Sequence, residues 1–306
     1  MNWIQNFLRI KPKIVVVLGP TATGKTSLSI AIAKKYNGEV ISADSRQVYR
    51  GLNIGSAKAT VKEMDGIPHH MIDIADPKQI FSVQQYTTQG TKSINNILSR
   101  KKTVIICGGT GMYIDSLISG TQFPTVPPNP KLRSKIERKS TTELYSLLKL
   151  RDPRRAKTID PDNPVRLVRA LEVIDAIGVV PKTKKTSHYN VLYLGIDISK
   201  EELNSRIKKR VVDRFEKQNM LQEAIDLETD GLSYERMESL GLEYRFMARH
   251  LRGQITYTEM IDQLTVATSQ FAKRQRTWFK RNKKIYWFKP KNDQKEIFEL
   301  VSKFIY

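Results

Sequence analysis

The sequence predicts an α/β fold: a mainly parallel sheet flanked by helices on both faces, with an all-helical lobe inserted before the fourth strand. Three observations predict it. Five short apolar runs, Ile14–Leu18, Glu39–Ala43, Thr103–Cys107, Val191–Ile198 and Ile285–Phe288, alternate with helical periodicity, as strands of a covered parallel sheet do. Two breaks, Phe123-Pro124-Thr125-Val126-Pro127-Pro128-Asn129-Pro130 and Gly178-Val179-Val180-Pro181-Lys182-Thr183-Lys184-Lys185, enclose a stretch that reads as helical throughout, because prolines so densely set continue neither helix nor central strand. The first apolar run leads straight through a glycine-rich turn into a helix-like segment.

That turn is Gly19-Pro20-Thr21-Ala22-Thr23-Gly24-Lys25-Thr26. It is a Gly-x4-Gly-Lys-Thr phosphate loop in its required strand–turn–helix context, far more specific than a chance glycine-rich turn. The fold expected is therefore a P-loop NTPase-like core. The glycines let backbone N–H groups close on phosphate oxygens at a helix N-terminus. Lys25 adds a point charge, and the Thr26 hydroxyl is placed to hold Mg²⁺.

The remaining elements follow in order. Ser82-Val83-Gln84-Gln85 is a capping box opening a helix that aligns Val83, Tyr86, Gly90, Ile94 and Ile97 and ends near Arg100. After the lobe, Leu203, Ile207, Val211 and Phe215 form an apolar helix face beside Arg206, Arg210 and Arg214. Met260, Leu264, Ala267, Phe271 and Trp278 form a later stripe, interleaved near its end with Lys273, Arg274, Arg276, Lys280 and Arg281. The domain reading is a discontinuous core of residues 12–122 and 190–290, an insertion of 123–189, and 291–306 as a tail or short helix.

Composition names a partner class. Fifty-two basic residues against 31 acidic ones give a net charge of +21, which points to a polyanion, nucleic acid above all. A charge run is commonly just a solvated face. Here the C-terminal run sits beside Trp278 and Phe279, which favours phosphate contact. Cys107 is the one cysteine and reads as a buried small hydrophobe, so cysteines supply neither disulfides nor a zinc set. Trp3-Ile4-Gln5-Asn6-Phe7-Leu8 is too short and polar for a signal segment, and no run approaches a membrane span. A soluble, cytoplasmic monomer is expected. His69 and His70 make no recognisable ligand set and are assigned to packing.

A phosphate loop alone suggests an ATPase or kinase, which commonly carries a Mg²⁺-holding carboxylate at the end of a core strand. The third run ends instead in Cys107-Gly108-Gly109-Thr110-Gly111. The carboxylate follows the second, in Ser42-Ala43-Asp44-Ser45-Arg46-Gln47-Val48-Tyr49. Strand ends of an open parallel sheet share one crevice, so Asp44, Ser45, Gln47 and Thr110 should surround whatever lies above the phosphate loop. Asp44 reads as a catalytic group, with a helix N-cap or a Mg²⁺ ligand as the competing roles.

At these residues the chain resembles a known family. The phosphate loop, Ile41–Tyr49, Gly55-Ser56-Ala57-Lys58, Ile67-Pro68-His69-His70, Gly108–Tyr113, Arg166-Leu167-Val168-Arg169-Ala170-Leu171-Glu172 and Ala272-Lys273-Arg274-Gln275-Arg276-Thr277-Trp278 together resemble the tRNA dimethylallyltransferases, the bacterial tRNA isopentenyltransferase family, over about residues 12 to 288. The resemblance implies transfer of a dimethylallyl group from dimethylallyl diphosphate to the exocyclic amine of the adenosine 3′ of a tRNA anticodon. It implies that Gly19, Thr21, Ala22, Thr23, Gly24, Lys25 and Thr26, with Arg210, hold the diphosphate leaving group with Mg²⁺. Asp44 is then the general base and Thr110 its hydrogen-bonding companion. Ser45 and Gln47 would hold the adenine edge and its neighbour. Arg46, Val165, Arg166, Leu167, Val168, Arg169, Lys273, Arg274 and Arg276 would belong to the surface on the anticodon stem-loop.

The chain departs from the family at Gly241-Leu242-Glu243-Tyr244-Arg245, where Gly-Tyr-Lys-Glu is usual. Further departures are Asp160 in place of a histidine, Ser269 in place of an arginine, and the spacing of Val211–Ala224. Competing readings are an isopentenyltransferase acting on free adenine nucleotides, a P-loop small-molecule kinase, and a non-catalytic RNA-binding protein. The +21 charge argues against the first. The strand end without a carboxylate argues against the second, and intact Lys25, Thr26, Asp44 and Thr110 against the third.

Overall fold

The computed structural model describes residues 11–121, 123–136, 138–182, 186, 188–289 and 293–306. Among these, six parallel strands form one sheet in the order β3-β2-β4-β1-β5-β6. The strands are β1 (Lys13–Leu18), β2 (Gly38–Ser42), β3 (His69–His70), β4 (Thr103–Gly108), β5 (Asn190–Ile196) and β6 (Ile285–Phe288). All five expected runs are strands. The edge strand β3 was not foreseen, because two half-buried histidines carry no apolar pattern. His70 instead meets Glu39, a fully buried carboxylate on β2 that Arg100 and Lys102 also bind. These partners hold the Glu39 carboxyl well below the usual carboxylate range.

Alternation along β1 explains its unbroken apolar run. Ile14, Val16 and Leu18 face a cluster completed by Ile94, Ile97, Ile114, Ile207 and Leu264. Val15 and Val17 face another with Leu28, Ile32, Ile297 and Val301. The first cluster draws on helices α3 (Val83–Ser99), α4 (Gly111–Ser119), α9 (Lys200–Gln218) and α13 (Tyr257–Phe279). The second draws on α1 (Lys25–Lys35) and α14 (Gln294–Ile305), and the shorter helices α2 (Val61–Met64), α11 (Tyr234–Leu240) and α12 (Leu242–Leu251) belong to the same compact unit. Each such side chain contributes about 1.5–3 kcal/mol on full burial, and only a strand covered on both faces collects this at every position. The C-terminal segment thus ends as a core helix, with Ile297 and Val301 fully buried.

Helix starts obey local chemistry. Ser82 caps α3 with a complete capping box, and Arg100 closes that helix. Thr256 does the same for α13. The buried stripe of α13 differs from the one expected. It runs Met260, Leu264, Thr268, Ala272, Gln275 and Phe279, with Ala267, Phe271 and Trp278 only half-buried. Apolar spacing could not reveal this, since two of the inward residues are polar.

The described residues divide into two compact units, one of residues up to 120 and from 188 on, the other of residues 121–186. The second holds α5 (Pro130–Ile136), α6 (Thr141–Arg151), α7 (Pro153–Ala156) and α8 (Pro164–Ile177). Its own core includes Leu144, Leu148, Leu167, Leu171 and Ile174. At its centre the buried Glu172 accepts from the Asn129 N–H at 2.8 Å, Arg133 at 2.7 Å and Arg169 at 3.1 Å. Residues 183–185 of the second break lie outside the described residues, as does the N-terminal segment around Trp3–Leu8.

Candidate active site

The phosphate loop spans the end of β1 and the start of α1. Gly19 has φ 146°, and a Cβ there would lie 2.7 Å from the Ile196 carbonyl oxygen, so no larger residue fits. Gly24 caps α1 from a left-handed conformation. The Thr23 hydroxyl and the Lys25 ammonium both donate to the Pro20 carbonyl, at 2.9 and 2.6 Å. Burial lowers the Lys25 pKa to about 8; Arg210 pushes it the same way, and Cys107 and Asp44 oppose. Arg210, from α9, donates to the Thr21 hydroxyl at 2.5 Å. Burial, with Arg214 as a close like charge, lowers the Arg210 pKa to about 10. Two cations are thus held at the loop at a cost in solvation, an arrangement suited to a polyanionic ligand.

The second-strand segment lies beside it, since β2 and β4 are neighbours and β4 adjoins β1. Asp44 accepts the Arg46 N–H at 2.8 Å and the Gln47 N–H at 3.4 Å, both on Oδ1. Among the described residues, no hydrogen bond reaches its Oδ2. Oδ1 therefore fixes a turn rather than capping a helix, since the next helix after β2 begins only at Val61, while Oδ2 faces the crevice without a protein partner among the described residues. Thr110 stands at the N-terminus of α4 without capping it. Its hydroxyl instead accepts the Ser45 N–H at 3.1 Å, and its own N–H donates to the Ala43 carbonyl at 3.0 Å. The structure thus brings Lys25, Thr26, Asp44, Ser45, Thr110 and Arg210 to one end of the sheet.

Other expected contacts are placed differently. The Gln47 amide is engaged at both ends, accepting from the Ser42 hydroxyl at 2.8 Å and donating to the Ala57 carbonyl at 3.1 Å. It braces a loop rather than offering its edge to a base. Leu167 and Val168 are buried in the lobe core, so their side chains do not form a surface for RNA. Arg169 spends its guanidinium on Glu172 and the Val126 carbonyl. Arg276 is tied to Asp197 and the Ile198 carbonyl. Val165, Arg166, Lys273 and Arg274 are exposed. Arg46 is half-buried and donates to the Ser45 carbonyl at 3.2 Å.

Three supports were missed. Glu223, on α10 (Met220–Thr229), accepts the N–H groups of Asn53, Ile54 and Gly55 at 2.9, 2.6 and 3.0 Å, and the Tyr244 hydroxyl at 2.8 Å. Arg214 is buried, donating to the Gly55 carbonyl at 3.3 Å and meeting Glu243 at 3.4 Å. These residues fix the loop that holds Gln47. They occupy two of the segments in which the sequence departs from its family, and only the departures hinted at them. The third missed support is Gln275. It was legible only as part of a motif.

A parallel α/β sheet with a phosphate loop, a carboxylate and two buried cations at one end of its interior strands belongs to an enzyme that handles a phosphate-bearing substrate. The sequence profile of the family described as IPP transferase matches residues 47–282. A tRNA dimethylallyltransferase of Anoxybacillus flavithermus is 41% identical over 287 residues, covering 92% of this chain and 91% of that protein. A tRNA dimethylallyltransferase 2 of Treponema denticola is 42% identical over 288 residues, covering 91% and 96%. The full-length tRNA isopentenylpyrophosphate transferase of Bacillus halodurans superposes with a TM-score of 0.72 at 34% identity, covering 96% of this chain and 97% of that one. A eukaryotic dimethylallyltransferase acting on tRNA gives a TM-score of 0.83 at 27% identity, covering 96% and 79%. The chain belongs to the IPP transferase family.

Proposed function

We propose that this enzyme transfers the dimethylallyl group of dimethylallyl diphosphate to the exocyclic amine of the adenosine 3′ of the anticodon in tRNA, releasing diphosphate. Prenylation of tRNA is what its relatives are named for. The observation that carries the chemistry is the open Oδ2 of Asp44 beside a phosphate loop bearing two buried cations.

The steps follow from the residues. The allylic C–O bond breaks and negative charge grows on the diphosphate, which Lys25, Arg210 and the loop N–H groups stabilise most as it leaves. The carbon forms its new bond to the amine nitrogen, and Asp44 takes the proton that the amine gives up. The Thr110 hydroxyl orients the amine while its oxygen fixes the Ser45 turn. The adenine must leave its stack to reach this crevice.

Mg²⁺ suits the donors present. Thr26 supplies a hard hydroxyl oxygen, and among the described residues no cluster of three or more His, Cys, Asp or Glu forms a dedicated cage. Such ions are held by one or two protein oxygens together with substrate phosphates. Thr26 would hold it, and when bound it would neutralise developing charge on the diphosphate. A monomer working in the cytoplasm completes the reading; among the described residues no helix is long and apolar enough to cross a membrane.

The test is nucleoside mass spectrometry of unmodified tRNA incubated with dimethylallyl diphosphate and Mg²⁺. One prenylated adenosine and one diphosphate per tRNA are expected. Equal transfer to free adenosine monophosphate would favour the free-nucleotide reading, and RNA-independent phosphoryl transfer from ATP a kinase.

Arg166 is the cleaner RNA probe of the lobe. It is exposed and only loosely paired, with Asp160 at 3.9 Å. Log–log plots of tRNA affinity against salt should be steep, with about −0.7 to −0.9 per neutralised phosphate. Arg166→Ala is expected to flatten the slope by about one phosphate's share. An unchanged slope would remove Arg166 from the RNA-facing surface.

A further inference from the structure

Gln275 sits on α13 among residues that face RNA in the reading above, yet it is 6% exposed. Its amide uses both ends. Oε1 accepts the Thr21 N–H at 2.8 Å, inside the phosphate loop. Nε2 donates to the Gly109 carbonyl at 3.0 Å, in the turn after β4. The first contact belongs to the half of the site that holds the leaving group. The second belongs to the acceptor half, since Thr110 is the next residue. The fit is close: a Cβ on Gly109 would stand 2.2 Å from Nε2.

Neither isosteric replacement, Glu or Met, can serve both groups. An N–H requires an acceptor and a carbonyl requires a donor, so the amide orientation is fixed by its partners. A carboxylate cannot donate to Gly109, and methionine can do neither. The Thr21 N–H is spent on Gln275, while the Thr21 hydroxyl takes Arg210. Gln275 therefore shapes the phosphate loop from behind, and the Thr21 N–H, expected among the groups that hold the diphosphate, is committed to it instead.

We propose that Gln275 is a positioning residue for prenyl transfer: its amide locks the diphosphate loop and the Gly109–Thr110 turn in register, setting the distance from leaving group to acceptor amine. The inference rests on the prenyl-transfer reading, which wild-type turnover tests separately. Loss of register by about 1 Å costs on the order of 10²-fold in a group-transfer rate. Binding of each substrate depends on contacts that Gln275 does not make, so the loss falls on the rate.

The experiment is single-turnover transfer with both substrates saturating, alongside donor and tRNA affinities and thermal midpoints. Gln275→Met is compared with Thr268→Val, which alters another buried polar residue on the same helix. Gln275→Met should lose about 10²-fold in rate, with both affinities within about threefold of wild type and a midpoint below that of Thr268→Val, because it leaves the Thr21 N–H and the Gly109 carbonyl unpaired while, among the described residues, the Thr268 hydroxyl has no partner to lose. Gly109→Ala should expel the amide and lose a comparable factor, and Gly109→Ala with Gln275→Ala should be no worse than Gly109→Ala or Gln275→Ala alone, because each removes the same pair of amide contacts. A Gln275→Met rate within about threefold of wild type would overturn the proposal. So would a loss confined to affinity, an equal rate loss in Thr268→Val, or losses that multiply in the double variant. If Gly109→Ala does not fold, the Gln275→Met comparison decides alone.

Discussion

Asp44→Asn is expected to slow single-turnover transfer by about 10²- to 10⁴-fold, the loss typical of a positioned general base. The substitution keeps shape and volume. The Asn carbonyl can replace Oδ1 as acceptor for the Arg46 and Gln47 N–H groups, so the turn should persist. What disappears is the negative oxygen that takes the amine proton. Donor and tRNA affinities should change little, because they rest on phosphate contacts elsewhere. A metal-ligand role for Asp44 makes a different forecast: weaker donor binding that excess Mg²⁺ partly restores. Measuring both quantities across a Mg²⁺ titration separates the two roles. Near-wild-type transfer by Asp44→Asn, with both substrates bound, would show that the proton leaves by another route.

Lys25→Ala is expected to weaken donor binding and to slow transfer by about 10²- to 10³-fold, as when a preorganised donor to a developing anion is removed. The wild-type ammonium is charged below about pH 8 in the free protein and neutral above it. Diphosphate favours the charged form. Binding should therefore take up a proton above pH 8, and donor affinity should fall as pH rises, approaching tenfold per unit. Calorimetry between about pH 7 and 9.5 in buffers of different ionisation enthalpy reads the proton directly. Lys25→Ala should lack this uptake. Wild-type turnover of Lys25→Ala at saturating donor would mean that the loop does not cradle the leaving group.

The sheet was legible in the sequence because buried parallel strands must be continuously apolar. Ile14–Leu18 and Thr103–Cys107 could form little else. The phosphate loop was legible for a related reason: its glycines, lysine and threonine answer one chemical demand at fixed spacing. The supports of the site were not. Gln275 lies on a helix 254 residues from its partner Thr21, and Glu223 reaches a loop about 170 residues away. A polar residue turned inward breaks the apolar periodicity by which a buried helix face is read, so the α13 stripe was misjudged where Thr268 and Gln275 replace hydrophobes. Exposure was equally hidden in the Val165–Arg169 segment. Its composition suits an RNA surface, but helix geometry sends Leu167 and Val168 into the lobe core and commits Arg169 to Glu172.

The strand order carries a consequence for synthesis. β1 pairs with β4 on one side and β5 on the other, and β5 begins about 80 residues after β4 ends. As the chain leaves the ribosome, β1 to β4 can assemble while the far edge of β1, the unpaired N–H and C=O groups of the apolar strand Ile14–Leu18, has no neighbour. At about 5–20 residues per second, that edge stays bare for about 4–16 s. The lobe is made during this interval. An unpaired apolar edge is the feature that invites association between nascent chains, so the insertion sets how long each new molecule depends on a chaperone or on low crowding at the ribosome exit.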